Sequence, residues 1–483
     1  MKSPRYTPGT FPLITLGVMG LLSPHLSACS KPSNQPGATL PASSDIAPGA
    51  DTLDAIYATS QAQLTTLLNA NQPASGPDAL PLIAQAGEMV RTLTSRELDA
   101  GKTPVDFDAI SSAAAPAEAK EAARRAVAEL ETKGVGDLMS QIALAPRAVP
   151  EVKPELLLNM LLPQLGQIRS LTRLTSARAT IALEKTDHTA FLARIDEMIA
   201  LSKHAANQPG ALGGLVGAAV RARALESVRR AVLSGTLNDI TLASLDTRLR
   251  AAPTLTAAHL FDTEQVMTEN VIEFVYFAGP EGMLAIQNLG TGSNPTPKPT
   301  KRFIQDGVAL GKGMPDRATQ LTLSKAYYEH MRQLGTLNPA QRADAATPAR
   351  LIDDVKNNLL LGILTPSLSR VFTVLDQIAA DDQGTLALIA LERYRLAHNS
   401  YPASLAALVP VFLSSGLIDP YNGKPLGYLP PKAGGYADGR GFVLYVAGPD
   451  AIDNGGNVDF KEPFQSQGDK GAGKDFLLNR EMK

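Results

Sequence analysis

The stretch Leu386-Ala-Leu-Ile-Ala-Leu-Glu-Arg-Tyr-Arg-Leu-Ala-His-Asn-Ser-Tyr-Pro402 marks where the chain changes character. It ends a helical segment that begins near Pro348. The Tyr401-Pro402 pair stops that helix, because proline disfavours a helical residue before it. Downstream, short apolar runs alternate with Gly, Pro and Asn clusters. Asn422-Gly423 signals a hairpin, and Asp419-Pro-Tyr-Asn-Gly423 reverses the chain ahead of Leu426 and Tyr428. Gly441-Phe-Val-Leu-Tyr-Val446 is the strongest strand candidate in the sequence. A helix leading into a short antiparallel sheet is an α+β arrangement, expected over 346–483 with a flexible C-terminal tail.

Upstream, residues 51–345 are rich in Ala, Leu, Arg and Glu at helical spacing. Leu161, Leu165 and Ile168 mark one apolar face; so do Leu192, Ile195, Met198 and Ser202, then Leu225, Val228 and Val232, then Leu242, Leu245 and Leu249. Asp187 and the Asn238-Asp239 pair stand where helices start, and Gly235 stands where one stops. Helix, turn, helix recurs between Pro154 and Ala252, which predicts stacked antiparallel hairpins. Between Ala278 and Pro315, the run Gly290-Thr-Gly-Ser-Asn-Pro-Thr-Pro-Lys-Pro-Thr-Lys-Arg302 predicts a long surface loop or hinge. The expected fold is mixed and multi-domain: a mainly α-helical hairpin domain over 51–345, then the small α+β domain.

The one cysteine, Cys29, lies in Leu26-Ser27-Ala28-Cys29. Before it come Lys2, Arg5 and an apolar run from Phe11 to Leu22, too short to span a bilayer but suited to a signal peptide over 1–28. Small residues ahead of a thiol fit peptidase cleavage and thioether attachment of diacylglycerol, the pattern of a bacterial lipoprotein. More than one acyl chain, at roughly 0.8 kcal/mol per buried methylene, makes a firm anchor. Ser30 stands where an aspartate, by resemblance to known lipoproteins, favours the inner membrane; the expected location is the periplasmic face of the outer membrane. Residues 29–50 are Pro, Ser, Gly and Ala with few large apolar groups, and read as a flexible tether. With no further cysteine, disulfides, thiolate metal sites and cysteine nucleophiles are excluded from the mature chain. A formal net charge of −2 with scattered Lys and Arg gives no sign of a nucleic-acid groove.

The C-terminal segment resembles the major pseudopilin of type II secretion systems. The likeness rests on Ala390-Leu-Glu-Arg-Tyr-Arg395, Ser400-Tyr-Pro402, Leu405, Leu408-Val-Pro410, Asp419-Pro-Tyr421, Gly423-Lys-Pro-Leu426, Tyr428, Phe442-Val-Leu-Tyr445, Gly448-Pro-Asp450 and Asp453-Asn-Gly-Gly456. It covers about a fifth of the chain as an ordered series. The pseudopilin's N-terminal cleavage site and long apolar helix are absent, so polymerisation as a pilin is not expected. In the major pseudopilins the loop after the last strand binds calcium, and the resemblance implies Asp450 and Asp459 as carboxylate positions here, with Asp453 a further candidate. Three Asp and two Asn in the loop suit a cation that takes six to eight oxygens. A solvated acidic turn, in which Asp and Asn satisfy their own backbone, is the other reading.

Other motifs carry little chemistry. Gly468-Asp-Lys-Gly-Ala-Gly-Lys474 has the spacing of a phosphate loop, but Asp475 replaces its Ser or Thr and the chain that follows is too short for a nucleotide fold. The six histidines never fall at helical ligand spacing, and no Gly-x-Ser-x-Gly elbow occurs. The adjacent acids Asp353-Asp354 and Asp381-Asp382 are expected to diverge around helix axes and serve solubility. Tyr394 and Tyr401 are expected to pack their helix on the sheet. The function expected from all this is non-catalytic: an anchored envelope protein acting by protein–protein contact, with envelope or secretion proteins as partners. The alternative is an envelope hydrolase with its site in a groove of the helical region.

Overall fold

The computed structural model describes residues 52–70, 72–99, 105–160, 162–287, 310, 314–345, 349–365, 368–436, 439–459 and 473–480. Helices dominate. The first four are α1 (Leu53–Ala70), α2 (Ala79–Asp99), α3 (Ala117–Thr132) and α4 (Val135–Leu144). Next come α5 (Pro163–Glu184), α6 (His188–Ala206), α7 (Gly210–Leu233), α8 (Asp239–Ala251) and α9 (Ala257–Ala278). The series continues with α10 (Pro280–Gln287), α11 (Arg317–Gly335), α12 (Pro339–Asp344), α13 (Ala349–Lys356), α14 (Leu359–Leu364) and α15 (Leu368–His398). A three-stranded sheet closes the chain: β1 (Gly427–Leu429), β2 (Val443–Val446) and β3 (Phe476–Leu477). The protein is α-rich with one small antiparallel sheet.

Capping fixes the helix starts that the sequence marks. Asp187 accepts the Ala190 amide at 2.9 Å and Asn238 accepts the Thr241 amide at 2.9 Å. Each such cap satisfies a donor the helix cannot satisfy itself, worth about 1 kcal/mol. The apolar faces of α6, α7 and α8 meet as the spacing requires, burying Ile195, Met198, Leu225, Val228, Val232, Leu242, Leu245 and Leu249. Part of the segment expected as a loop between Ala278 and Pro315 is helical, since α10 starts directly after Gly279 and buries Met283 and Ile286. Residues 288–309 of that segment lie outside the described residues.

Helix α7 is the axis of the molecule. Ala211 and Leu215 join a cluster with α9, α11 and α14; Val216 and Val220 join one with α2 to α5; Ala224 to Val232 join one with α6, α8 and α15. The first half of α7 is small or apolar nearly all round, whereas its second half buries Arg221, Glu226 and Arg229 against charged partners. Helix α15 also bridges two clusters, placing Val371 and Phe372 against the α9–α11 group and Leu386 to Leu391 against α7 and α8. The expected domains, 51–345 and 346–483, therefore share hydrophobic clusters.

The sheet runs in the order β1-β2-β3, with Tyr428 opposite Leu444, Gly427 opposite Tyr445, and Val446 opposite Phe476. Leu444 and Val446 face α15, while Val443 and Tyr445 pack with Leu477 under the loops on the other face. A Cβ at Gly427 would lie 2.2 Å from the Tyr445 ring, so glycine there lets that ring cross β1. Asn422-Gly423 makes the expected turn: Gly423 has φ +73°, and Ile418 bridges Pro425. Residues 473–480, expected as part of a flexible tail, are corrected by the structure. Phe476, Leu477 and Leu478 are buried, and the run is too short for periodicity to reveal.

Candidate functional site

Cys29 lies outside the described residues. The three acidic-loop candidates are placed, and each is engaged separately. Asp450 accepts the Ile452 amide at 3.1 Å and the Gly473 amide at 3.1 Å. Asp453 accepts the Gly455 amide at 2.8 Å, and Asp459 pairs with Lys474 Nζ at 2.9 Å. Among the described residues, no group of three or more His, Cys, Asp or Glu is gathered to hold a metal ion.

The acids that organise this end of the molecule are two others. Asp475 accepts the Asn454 amide at 2.9 Å through one oxygen and the Gly456 amide at 2.7 Å through the other, tying β3 to the loop. Asp419 likewise holds the Tyr421 and Ala447 amides, each at 2.8 Å, joining the hairpin turn to the end of β2. Burial pushes both carboxyl pKa values up, against the amides, which pull them down. Sequence reading placed Asp419 only in a turn and Asp475 only as a defect in a phosphate loop. Their amide partners lie 19 to 28 positions away on the Asp475 and Ala447 contacts, beyond any local pattern.

Asp381 and Asp382 require a correction. Both were expected on a solvated face, yet Asp381 is 3% exposed, between Arg229 Nη1 at 3.1 Å and Arg480 Nη2 at 2.9 Å. Asp382 takes Arg221 Nη2 at 2.6 Å and Nε at 2.9 Å. Arg221 and Arg229 are eight positions apart on α7, close to two helical turns apart on one side. Adjacent acids on α15 can therefore each meet one. Burial lowers the Arg480 pKa to about 10, with Asp381 opposing the shift. The pair Asp353-Asp354 is exposed.

Tyr394 and Tyr401 pack on the α15–sheet cluster. Tyr401 donates its hydroxyl to Glu392 at 3.2 Å and sets its ring edge-on to Phe442, centroids 4.6 Å apart.

A cavity of about 280 Å³ opens between α6, α7, the 252–256 linker and the first turn of α9. Gly214 lines it, and further glycines stand at 210, 213 and 217. That spacing puts them on one side of α7. A Cβ at Gly217 would lie 2.8 Å from the Ala206 Cβ, and one at Gly214 would lie 2.3 Å from a Leu260 methyl, so α6 and α9 approach α7 where side chains are missing. Polar groups reach the cavity from Ser202, Lys203, Asn207, Arg221 and His259, beside apolar Ile199, Leu260 and Leu375. Among the described residues, no Asp or Glu lines it. Ser202 donates its hydroxyl to the Gly217 carbonyl at 2.8 Å. Burial lowers the His259 pKa, which leaves the ring neutral at pH 7. The sequence signal was the glycine run itself, which periodicity arguments on apolar residues pass over.

No protein family, curated protein or solved structure matches this chain. Among the described residues, no helix is long and apolar enough to cross a membrane.

Proposed function

We propose that this chain is a lipid-anchored protein of the bacterial envelope, attached through Cys29 at the periplasmic face of the outer membrane, which works by protein–protein contact or scaffolding. The observation that carries the contact role is a group of exposed apolar side chains where α8, α15 and the 409–412 segment meet. Arg393 Nε pairs with Asp239 at 2.7 Å, and its guanidinium lies 5.7 Å from the Phe412 ring centroid, which brings the three segments together. Beside these residues Ile240 is 78% exposed and Val411 74% exposed; Leu396, one turn along α15 from Arg393, is partly exposed. Apolar groups gathered around a polar pair are the composition of a contact surface.

The order of long helix, turn and three-stranded meander in α15 and β1–β3 supports the pseudopilin likeness, and with it a place beside a type II secretion-like apparatus. That step is an analogy of fold. A calcium ion in loop 448–459 belongs to the proposal only in a structural role, since it would have to exchange the Gly473 amide and Lys474 contacts for metal bonds. The test is cross-linking in intact cells followed by affinity purification of the tagged protein, with Cys29→Ser as the unanchored control. The proposal expects the same envelope proteins in repeated wild-type captures and their loss in the control. Recovery of no specific partner from anchored protein overturns it.

A further inference from the structure

The cavity beside α7 is built for a negative charge. Four groups of donors border it. Arg221 is 4% exposed and lines the cavity; its Nε and Nη2 are engaged by Asp382 and the Leu249 carbonyl, and among the described residues its Nη1 makes no hydrogen bond. Asn207 lines the same space, and its side-chain Nδ2, removed from water, also lacks a partner. Lys203 contributes an ammonium whose one contact is a 3.3 Å approach to the Pro146 carbonyl.

The fourth donor group is the start of α9. Its N-cap, Thr256, makes no side-chain cap bond, so the first amides of a 22-residue helix go uncapped by it, at a point where Thr256, His259 and Leu260 all line the cavity. Uncapped amides with the positive end of the helix dipole behind them favour an oxyanion. The buried Asn207 amide donor costs free energy until an acceptor arrives, and Arg221 Nη1 is a charged donor still able to take one. With no carboxylate in the lining, Asp382 is the counter-charge to Arg221, and Lys203 leaves the cavity net positive.

We infer that this cavity binds a small oxyanion-bearing molecule, a carboxylate or phosphate head seated between Arg221, Lys203, Asn207 and the first turn of α9. The volume, about 280 Å³, exceeds the roughly 150 Å³ of a cavity that holds benzene, so it admits several carbons beyond the head group. Ile199, Leu260 and Leu375 give those atoms an apolar wall, which suits an organic acid. This inference is independent of the contact role proposed above.

The experiment is isothermal titration calorimetry on the detergent-solubilised full chain, with butyrate and inorganic phosphate as separate probes. Binding of either probe is expected, butyrate alone indicating an organic acid and phosphate alone a phosphate head. Two variants decide whether the heat comes from this cavity. Lys203→Ala removes one charged donor, and a loss of about tenfold in affinity is expected, the order of a single charged hydrogen bond. Thr256→Asp supplies α9 with its own carboxylate cap, so it should raise the melting temperature while abolishing binding. That opposite pair of effects separates a filled site from a damaged fold. Absence of heat with both probes at millimolar concentration overturns the inference, as does binding that neither variant weakens.

Discussion

His204 occupies the last turn of α6, 1% exposed, with Nε2 at 3.0 Å from the Ile142 carbonyl and Nδ1 without a partner. Burial lowers its pKa below the ordinary 6.5, more than the carbonyl contact raises it. The folded protein thus holds the proton less well than the unfolded chain. The stability linked to this group is complete above pH 6.5 and is lost as the pH falls below it, through the lowered pKa. His204→Gln keeps an amide donor for Ile142 and removes the titration. Its melting temperature is expected to fall less than that of the wild type as the pH is lowered below 6.5; an unchanged acid slope would show that other groups set it. Nothing in the sequence pointed to this residue. Spacing places His204 on a helix, but its carbonyl partner lies 62 positions earlier. Separation in sequence likewise hid Asp475, whose amide partners lie 19 and 21 positions away, and the Asp381–Arg480 pair, which spans 99 positions.

At the scale of elements, α7 and α15 are held by charge as well as by apolar contact. Two guanidiniums, Arg229 and Arg480, share Asp381 in the interior, so one acid ties the C-terminal segment after β3 to both helices. Removing it takes away the carboxylate that both buried cations share. Asp381→Ala is expected to destabilise the fold by about 3–5 kcal/mol, whereas Asp353→Ala, at an exposed acid, should stay within about 0.5 kcal/mol of wild type. Urea unfolding measures both. Equal effects would mean that Asp381 is solvated after all. Element identity was largely legible: the faces at Leu225, Val228 and Val232 and at Leu242, Leu245 and Leu249 repeat every three to four residues, and capping residues stand at their ends. The four glycines of α7 were legible as composition but not as function, because their meaning depends on which helices come to meet them. Strand β3 escaped notice for the plainer reason that two residues carry no period.

Across the whole molecule, the change of pattern after Pro402 does mark where helix gives way to sheet, and it does not mark a gap in packing. Leu386 to Leu391 of α15 lie in one cluster with α7, α8, Leu444 and Val446, so the small sheet rests on the helical body through α15. Apolar patterning shows that a face is buried; it does not show against what. On the outside, the same junction of α8, α15 and the 409–412 segment leaves Ile240 and Val411 uncovered. The most direct test of the contact role is photo-cross-linking in intact cells from a reactive residue placed at 240 or at 411, with position 144 as the comparison, since Leu144 is 83% exposed and on α4. The account predicts discrete adducts of the same mass from 240 and 411 and none of that mass from 144. Adducts that are absent at 240 and 411, or identical from all three positions, would contradict it.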